Sequence, residues 1–443
     1  MSVLNNRVLA SYSGLSIPMA AMGMPISVYL PQFYAEGMGL DLITVGLVFT
    51  LARVWDVITD PLMGVAIDRY DTRWGRRKHW IALSVPILMV SVWMVFMPNP
   101  EQVSGLYLGF WMILLYIGYT MLAIAHQSWG AELAVSYDDR SRLFGWREIF
   151  VIGGMGAVLA IPAGVEWFGT GEHALKVASM GWFCLILFPL MLIPTLLYVP
   201  DSRIATHMTI DWREAIKIMA TNTTLWRLLM ADLGAGLGTA VSGALYIFMA
   251  TYVMELPEHA SIALLFYFVA GFVAMPFWLK LAYRVGKDNA MKIALGYGVA
   301  MNIVLIPLAE PGNAFVLWGF TILYGTAFGA APTLLRSMMA DLTDADELVT
   351  GHKRAGLFFA LLTTTNKLGA AAAVGISFTI LEVAFGFVPG PGNPQEAIDG
   401  LLLTYTLGTA LGLLIGMVAV IRYPLSKSKH DIIREELTAR QAS

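Results

Sequence analysis

LARVWDVITDPLMGVAIDRYDTRWGRRKHW, residues 51–80, joins two stretches of opposite character. The first is apolar and reads as a helix, yet it carries Arg53, Asp56 and Asp60. The second is a short, strongly basic turn with Arg69, Arg73, Arg76, Arg77 and Lys78. In a bilayer each of the three helix charges would cost ~2.5–3.5 kcal/mol on insertion scales. Both the fold and the chemistry therefore turn on whether this helix lies in a membrane.

Composition says that it does. The chain has 443 residues, 57% of them hydrophobic and only 13% charged, against roughly a quarter charged in soluble domains. Its mean hydropathy is +0.67. The single Cys184 lies in an apolar run, which excludes a disulfide framework and a cysteine metal site. A net charge of −3 carries no nucleic-acid signature. The opening residues, MSVLNNRVLASYSG, lack the layout of a cleavable signal peptide, so the first apolar segment reads as a retained signal anchor.

Spanning a ~30 Å hydrocarbon core takes ~20 helical residues. Segments of that length are expected at 11–35, 42–68, 79–98, 104–134, 144–168, 177–199, 224–254, 259–284, 289–309, 313–341, 355–388 and 399–422, twelve in all. Lys and Arg cluster in alternate connections: after the second segment, in Arg140 and Arg142, in Arg203, Arg213 and Lys217, in Arg284 and Lys287, in Lys353 and Arg354, and in the tail. The opposite connections hold carboxylates and one lysine, Lys176. The positive-inside rule then places both termini and the longest connection in the cytoplasm. The expected organisation is an N-terminal six-helix bundle at 1–199, a cytoplasmic connection at 200–223, a C-terminal bundle at 224–423 and a cytoplasmic tail at 424–443. In that tail, Ile432, Ile433 and Leu437 suggest a short amphipathic helix.

The two halves echo each other. Ala131-Glu132-Leu133 closes the fourth segment as Ala340-Asp341-Leu342 closes the tenth. Gly75-Arg76 follows the second segment as Gly286-Lys287 follows the eighth. Two six-helix repeats around a central site are the architecture of a rocking secondary transporter.

Arg53, Asp56 and Asp60 are spaced i, i+3, i+7 and share a wedge of about 60° on a helix, with Thr59 beside Asp56. Two carboxylates on adjacent turns repel, and a cation between them relieves both that repulsion and the burial cost. Carboxylate and hydroxyl oxygens suit Na⁺, while one protonated aspartate would serve H⁺ instead. Pro61 lacks an N–H and so frees the Val57 carbonyl from the helix ladder. The competing reading is a structural network in which Arg53 neutralises an aspartate.

R-V-W-D-x-I-x-D-P-L-M-G followed by D-R-x-x-x-R-W-G-R-R-K resembles the glycoside–pentoside–hexuronide:cation symporters, the melibiose-permease-like branch of the major facilitator superfamily. The resemblance extends through I-x-x-Q-S-W-G-A-E-L, D-D-R-S-R-L, H-K-R-A-G-L-F-F-A and T-N-K-L-G-A, over essentially the whole chain. It implies an all-α membrane protein of twelve transmembrane helices with the major facilitator fold, not an enzyme. It implies a multi-pass protein of the plasma membrane, the inner membrane in a Gram-negative bacterium. It assigns Asp56, Asp60, Thr59 and, on the fourth helix, Thr120 to a coupling-cation site, with the two aspartates as the metal ligands. The family often has Asn where Thr59 stands, so Na⁺ and H⁺ both remain open. Arg53, Arg147 and Lys367 match basic residues near the substrate and the coupling site.

The departures concern the substrate. Two aspartates that hold sugar hydroxyls in melibiose-type members fall at Ala20 and Ala123, and a sugar-stacking tryptophan falls at Gln127. Thr120, Ala123 and Gln127 still share one helix face. A site that loses two carboxylates and keeps three cations favours an anionic solute, such as a uronate or sulfonated sugar, over a neutral galactoside. The alternative is an amphipathic anion of the lysolipid type, carried by eukaryotic relatives. No cofactor is expected beyond the coupling ion. The expected partners are a small-molecule solute, a monovalent cation and membrane lipid, with no nucleic acid, and the expected state is a monomer.

Asp68 with Arg69, then Gly75, Arg76 and Arg77, resembles the superfamily's cytoplasmic gate, and the same charges also serve as topology determinants. Asp232 suits either a substrate contact or a helix-packing hydrogen bond, Arg336 a structural network, and His126 a packing role or a protonatable cavity residue. Tyr267, Trp318 and Tyr324 are expected to pack rather than to bind.

Overall fold

The computed structural model describes residues 4–70, 72, 75–134, 137–167, 173–200, 222–350, 355–425, 429, 432–433 and 435–436. Twelve helices in it are long and apolar enough to cross a membrane. They are α1 (Asn6–Gly37), α2 (Leu42–Ile67), α3 (Lys78–Phe96), α4 (Gly105–Gly130), α5 (Arg142–Trp167), α6 (His173–Tyr198), α7 (Thr223–Val253), α8 (Ala260–Val285), α9 (Lys287–Leu308), α10 (Ala314–Thr350), α11 (Gly356–Phe385) and α12 (Gln395–Val420). Each expected segment has its helix.

The ends differ in places. α1 begins before residue 11, because the Asn5 side chain caps it by accepting from the Arg7 amide at 3.1 Å. α10 runs past residue 341, where the apolar run stops, to Thr350. Its extension, TDADELVT, is rich in carboxylates, so hydropathy does not mark it although the helix continues through it. α10 also breaks its regular ladder between Gly325 and Ala330. There a Cβ on Gly325 would lie 2.4 Å from the Tyr267 carbonyl oxygen, so α8 and α10 approach at backbone contact. α1 and α7, the first helices of the two halves, both end in a π-helical turn, Phe33–Gly37 and Met249–Val253.

The contacts divide the chain into two units. The first comprises Met1–His207 with Pro257–Leu265 and Glu382–Asn393, and the second comprises Met208–Leu256, Phe266–Leu381 and Pro394–Ser443. The first turns of α8 and the residues from Glu382 onward thus group with the N-terminal unit. The Lys353–Arg354 pair, most of the 200–223 connection and Arg434 and Leu437 of the tail lie outside the described residues.

Small residues set the helix spacing inside each unit. In the first, a Cβ on Gly154 would lie 2.4 Å from the Ile17 carbonyl oxygen, so α5 rides directly on α1. In the second, a Cβ on Gly412 would lie 2.4 Å from the Gly238 amide nitrogen, and one on Gly369 would lie 2.3 Å from the Leu233 carbonyl oxygen. The glycines of ADLGAGLG therefore allow α7 to meet α11 and α12, the packing mode of membrane helices, in which close backbone approach replaces a hydrophobic drive. Gly412→Val should lower the melting temperature of the detergent-solubilised protein by about 2–10 °C, given ~1–3 kcal/mol for overpacking. Gly319→Ala, which meets no atom within 4 Å, should leave it unchanged. A thermal-shift assay read by size-exclusion chromatography checks both.

Candidate functional site

The charged face of α2 meets α4 inside the first unit. The Thr120 hydroxyl lies 2.6 Å from Asp56 Oδ1 and 3.1 Å from Asp60 Oδ1. Asp56 and Thr120 are fully buried, and Asp60 is half-buried. One hydroxyl has one proton to donate. Its second contact sets two lone-pair-bearing oxygens side by side, an arrangement that a proton or a cation would relieve. Thr59 is buried next to this cluster, with its hydroxyl donating to the Asp56 main-chain carbonyl at 3.2 Å. α2 remains helical through Pro61.

Arg53 lies one turn before Asp56. Its guanidinium sits 5.1 Å from the centre of the Tyr116 ring, and its Nη2 donates to Ser27 Oγ on α1 at 3.3 Å. Both contacts hold the cation in a half-polar setting without consuming its charge.

His126 ties α1 to α4. Its ring is stacked on Tyr12 with centroids 4.1 Å apart and planes 9° from parallel. The Tyr12 hydroxyl donates to the His126 carbonyl at 2.7 Å, and His126 Nε2 lies 2.8 Å from the Tyr12 carbonyl. The second contact requires the Nε2–H tautomer. His126 thus serves as the packing element that its sequence position suggests. Arg147 on α5 acts electrostatically on both rings. Its Nε is buried with no hydrogen-bond partner among the described residues. Ala20 and Ala123 are half-buried, and Gln127 is exposed.

Lys367 belongs to the second unit, where it is half-buried on α11. In that unit Asp232 of α7 is buried and accepts from Thr365 Oγ1 at 3.2 Å and Asn366 Nδ2 at 3.3 Å. Asp232 therefore makes the helix-packing bond to α11, and Arg336 acts on it electrostatically. Tyr267 packs on Tyr324 at 5.7 Å and on Phe328 at 5.4 Å, and Trp318 packs on Phe266 at 5.4 Å.

In the basic turn, Arg77 makes contacts that its place in a gate-like motif does not announce. Arg77 is 2% exposed; its Nη2 pairs with Glu132 Oε1 at the end of α4 at 2.6 Å, and its Nη1 donates to the Ile67 carbonyl at 3.1 Å. One guanidinium so fastens the ends of α2 and α4 to the start of α3. Gly75 makes the turn at φ 109°, where a side chain would be strained. Arg76 is buried and Arg69 exposed, while the Asp68 side chain lies outside the described residues. The second unit repeats the device: Gly286 turns at φ 90°, and Lys287 Nζ pairs with Asp341 Oδ2 at 2.6 Å. The hint was present in the echo of Glu132 with Asp341, but the pairing of each with a basic residue some fifty positions away was not.

A profile of the MFS/sugar transport proteins matches residues 11–427. The chain belongs to this family. It is a multi-pass transporter of the plasma membrane, not an enzyme, and its α2 motif is that of the family's glycoside–pentoside–hexuronide:cation branch. The isoprimeverose transporter of Lactiplantibacillus pentosus is 24% identical over 428 residues, covering 93% of this chain and 87% of that protein. The sodium-dependent lysophosphatidylcholine symporter 1 of Xenopus tropicalis is 23% identical over 463 residues, covering 92% and 84%. Among solved structures, the nucleoside transporter NupG superposes with a TM-score of 0.66 at 15% identity, over 94% of this chain and all of that one, which shows the shared fold.

Removing one partner of a buried ion pair costs ~3–5 kcal/mol, whereas an apolar replacement of both is often neutral. Glu132→Ala should therefore destabilise the protein strongly, and Arg77→Met combined with Glu132→Leu should recover most of the loss, as read by the yield of monodisperse protein and its melting temperature.

Proposed function

We propose that the protein is a cation:solute symporter in which Asp56, Asp60, Thr120 and Thr59 hold a monovalent cation, Na⁺ or H⁺, that drives solute movement. The observation that supports this most directly is the convergence of two carboxylates on the single hydroxyl of Thr120. Two carboxylate oxygens and one hydroxyl oxygen converge there, hard donors suited to a positive charge. Filling it removes the repulsion and draws α2 and α4 together, which raises affinity for solute on the neighbouring face of α1, α4 and α5. Arg147 and Arg53 are the cationic groups of the first unit proposed to meet the solute, beside Ala20, Ala123 and Gln127, and Lys367 is the proposed cationic group of α11. A carrier loaded with only one of the two ligands keeps unbalanced buried charge and reorients poorly. This differential stability is the coupling free energy between the two sites.

We place both termini and the 200–223 connection in the cytoplasm, the six-helix bundles at 1–199 and 224–423, and the Asp68–Arg69 and Gly75–Arg76 turn at a cytoplasmic gate. The protein acts as a monomer on this reading. The solute is a glycoside-like compound with an acidic group, a uronate or sulfonated sugar. The Arg147 Nε, unpartnered among the described residues, supports that choice, because a buried guanidinium N–H calls for an anionic acceptor. The second reading, an amphipathic lysolipid anion, draws on similarity to the lysophosphatidylcholine symporter and on the same loss of sugar-binding carboxylates.

Uptake into proteoliposomes under an imposed Na⁺ or H⁺ gradient discriminates these readings. Uronates or sulfonated sugars should be concentrated, neutral disaccharides and lysophosphatidylcholine should not, and only one gradient should drive uptake. Transport of a neutral disaccharide alone would overturn the anionic assignment. Asp56→Asn and Asp60→Asn should each abolish concentrative uptake, by at least about tenfold, the loss expected from one charge-assisted contact. The protein should remain folded in the membrane, and wild-type uptake in both variants would remove the cation from this site.

A further inference from the structure

Two helix starts in the first unit are capped by carboxylates from elsewhere in the chain. Glu166, in the last turn of α5, is buried. It accepts from the Ser261 amide at 3.0 Å and from Ser261 Oγ at 2.5 Å. Ser261 is the second residue of α8, so this amide is one of the four that a helix start leaves unsatisfied. Glu382, near the end of α11, accepts from the Ile43 amide at 2.9 Å through Oε2. Ile43 is the second residue of α2, whose own cap, Asp41, accepts from Thr44.

The two contacts are equivalent in the repeat. In each, a carboxylate near the end of the fifth helix of one sequence half meets the second residue of the second helix of the other half. The segments involved, Pro257–Leu265 and Glu382–Asn393, group with the first unit although Phe266–Leu381, which holds the rest of α8 and most of α11, groups with the second. α2 ends in the basic turn, so its start, and with it both caps, lies at the opposite end of the helices.

We propose that Glu166 and Glu382 form a two-point latch that keeps this end of the transporter closed and releases when it opens. The proposal rests on the alternating-access reading above. A carboxylate on a helix start combines a hydrogen bond with attraction to the positive end of the dipole, and both groups regain water partners when they part. The two points are built differently. Glu166 also pairs with the buried Lys176 Nζ at 2.6 Å. Lys176 neutralises Glu166 in either state, so opening does not leave a lone charge in a low-dielectric setting. Lys176 is thereby the counterion that makes the stronger latch point reversible. Glu382 is half-buried and reaches water directly.

Ala263, in the first turn of α8, is fully buried and can report on opening without any solute. In a Cys184→Ser chain carrying Ala263→Cys, purified and placed in nanodiscs, the cysteine reacts with N-ethylmaleimide only through the open form. Glu382→Gln, and Glu166→Gln combined with Lys176→Met to avoid an unpaired ammonium, should each raise the reaction rate roughly two- to tenfold, the range expected for loss of a helix cap. All the changes together should raise it further. A cysteine at Leu88, buried in α3, should react at an unchanged rate. Unchanged rates at Ala263→Cys, or an equal rise at Leu88→Cys that marks general loosening, would overturn the latch. Neither result depends on which solute or cation is carried.

Discussion

The hydroxyl of Thr120 has one proton and two carboxylates within reach. That convergence of acidic groups inside an apolar bundle constrains how α2 packs on α4. Buried carboxylates are tolerated in a membrane helix only where they face a polar interior and find compensation. α2 must therefore turn its charged face toward α4. α4 in turn places Thr120 and Ala123 on one face, and the Tyr12–His126 clip fixes α1 beside them. Arg53 is held by a ring and a serine hydroxyl, both neutral partners. The proposed coupling site gains from these arrangements, because a cation entering it meets oxygens that are already crowded and little reorganisation is needed.

The same economy of charge appears twice at the helix turns. Arg77–Glu132 and Lys287–Asp341 occupy corresponding places in the two halves, each behind a glycine of positive φ. The pairs are not equally buried: Arg77 and Glu132 are sealed from water, whereas the Lys287 and Asp341 side chains keep 35% and 14% exposure. Duplication has preserved the topology of the device while its energetics have diverged. The guanidinium also reaches the Ile67 carbonyl, a second hydrogen bond made possible by its fork geometry.

Most of the fold was legible because a bilayer enforces it. Twelve apolar runs, their spacing and the i, i+3, i+7 charges of α2 are local patterns, and local patterns are what a sequence displays. The convergence of Asp56, Asp60 and Thr120 was readable for the same reason, since the two aspartates lie on one helix and family resemblance supplied Thr120. What escaped was long-range or unenforced. The helical extension of α10 to Thr350 is soluble in character, so hydropathy stops short of it. Arg77 read as one cation of a gate-like, topology-setting turn, and its pairing with Glu132 is a long-range contact that no local pattern displays. Glu166 and Lys176 looked like loop residues, yet they are a buried pair at a helix start.

The substitutions at Ala20, Ala123 and Gln127 acquire meaning from what surrounds them. Where the resemblance would place sugar-binding aspartates this chain has methyl groups, while Arg147 keeps a buried Nε with no hydrogen-bond partner among the described residues. An unsatisfied donor of this kind is costly to maintain in a folded protein. Its persistence is readily understood if the missing acceptor arrives with the solute. On the proposed reading, aspartates at the two alanine positions would add negative charge to the solute site and offset that guanidinium. Their absence leaves the positive charge available, which ties the loss of the sugar clamp and the proposed preference for an acidic solute to a single electrostatic cause.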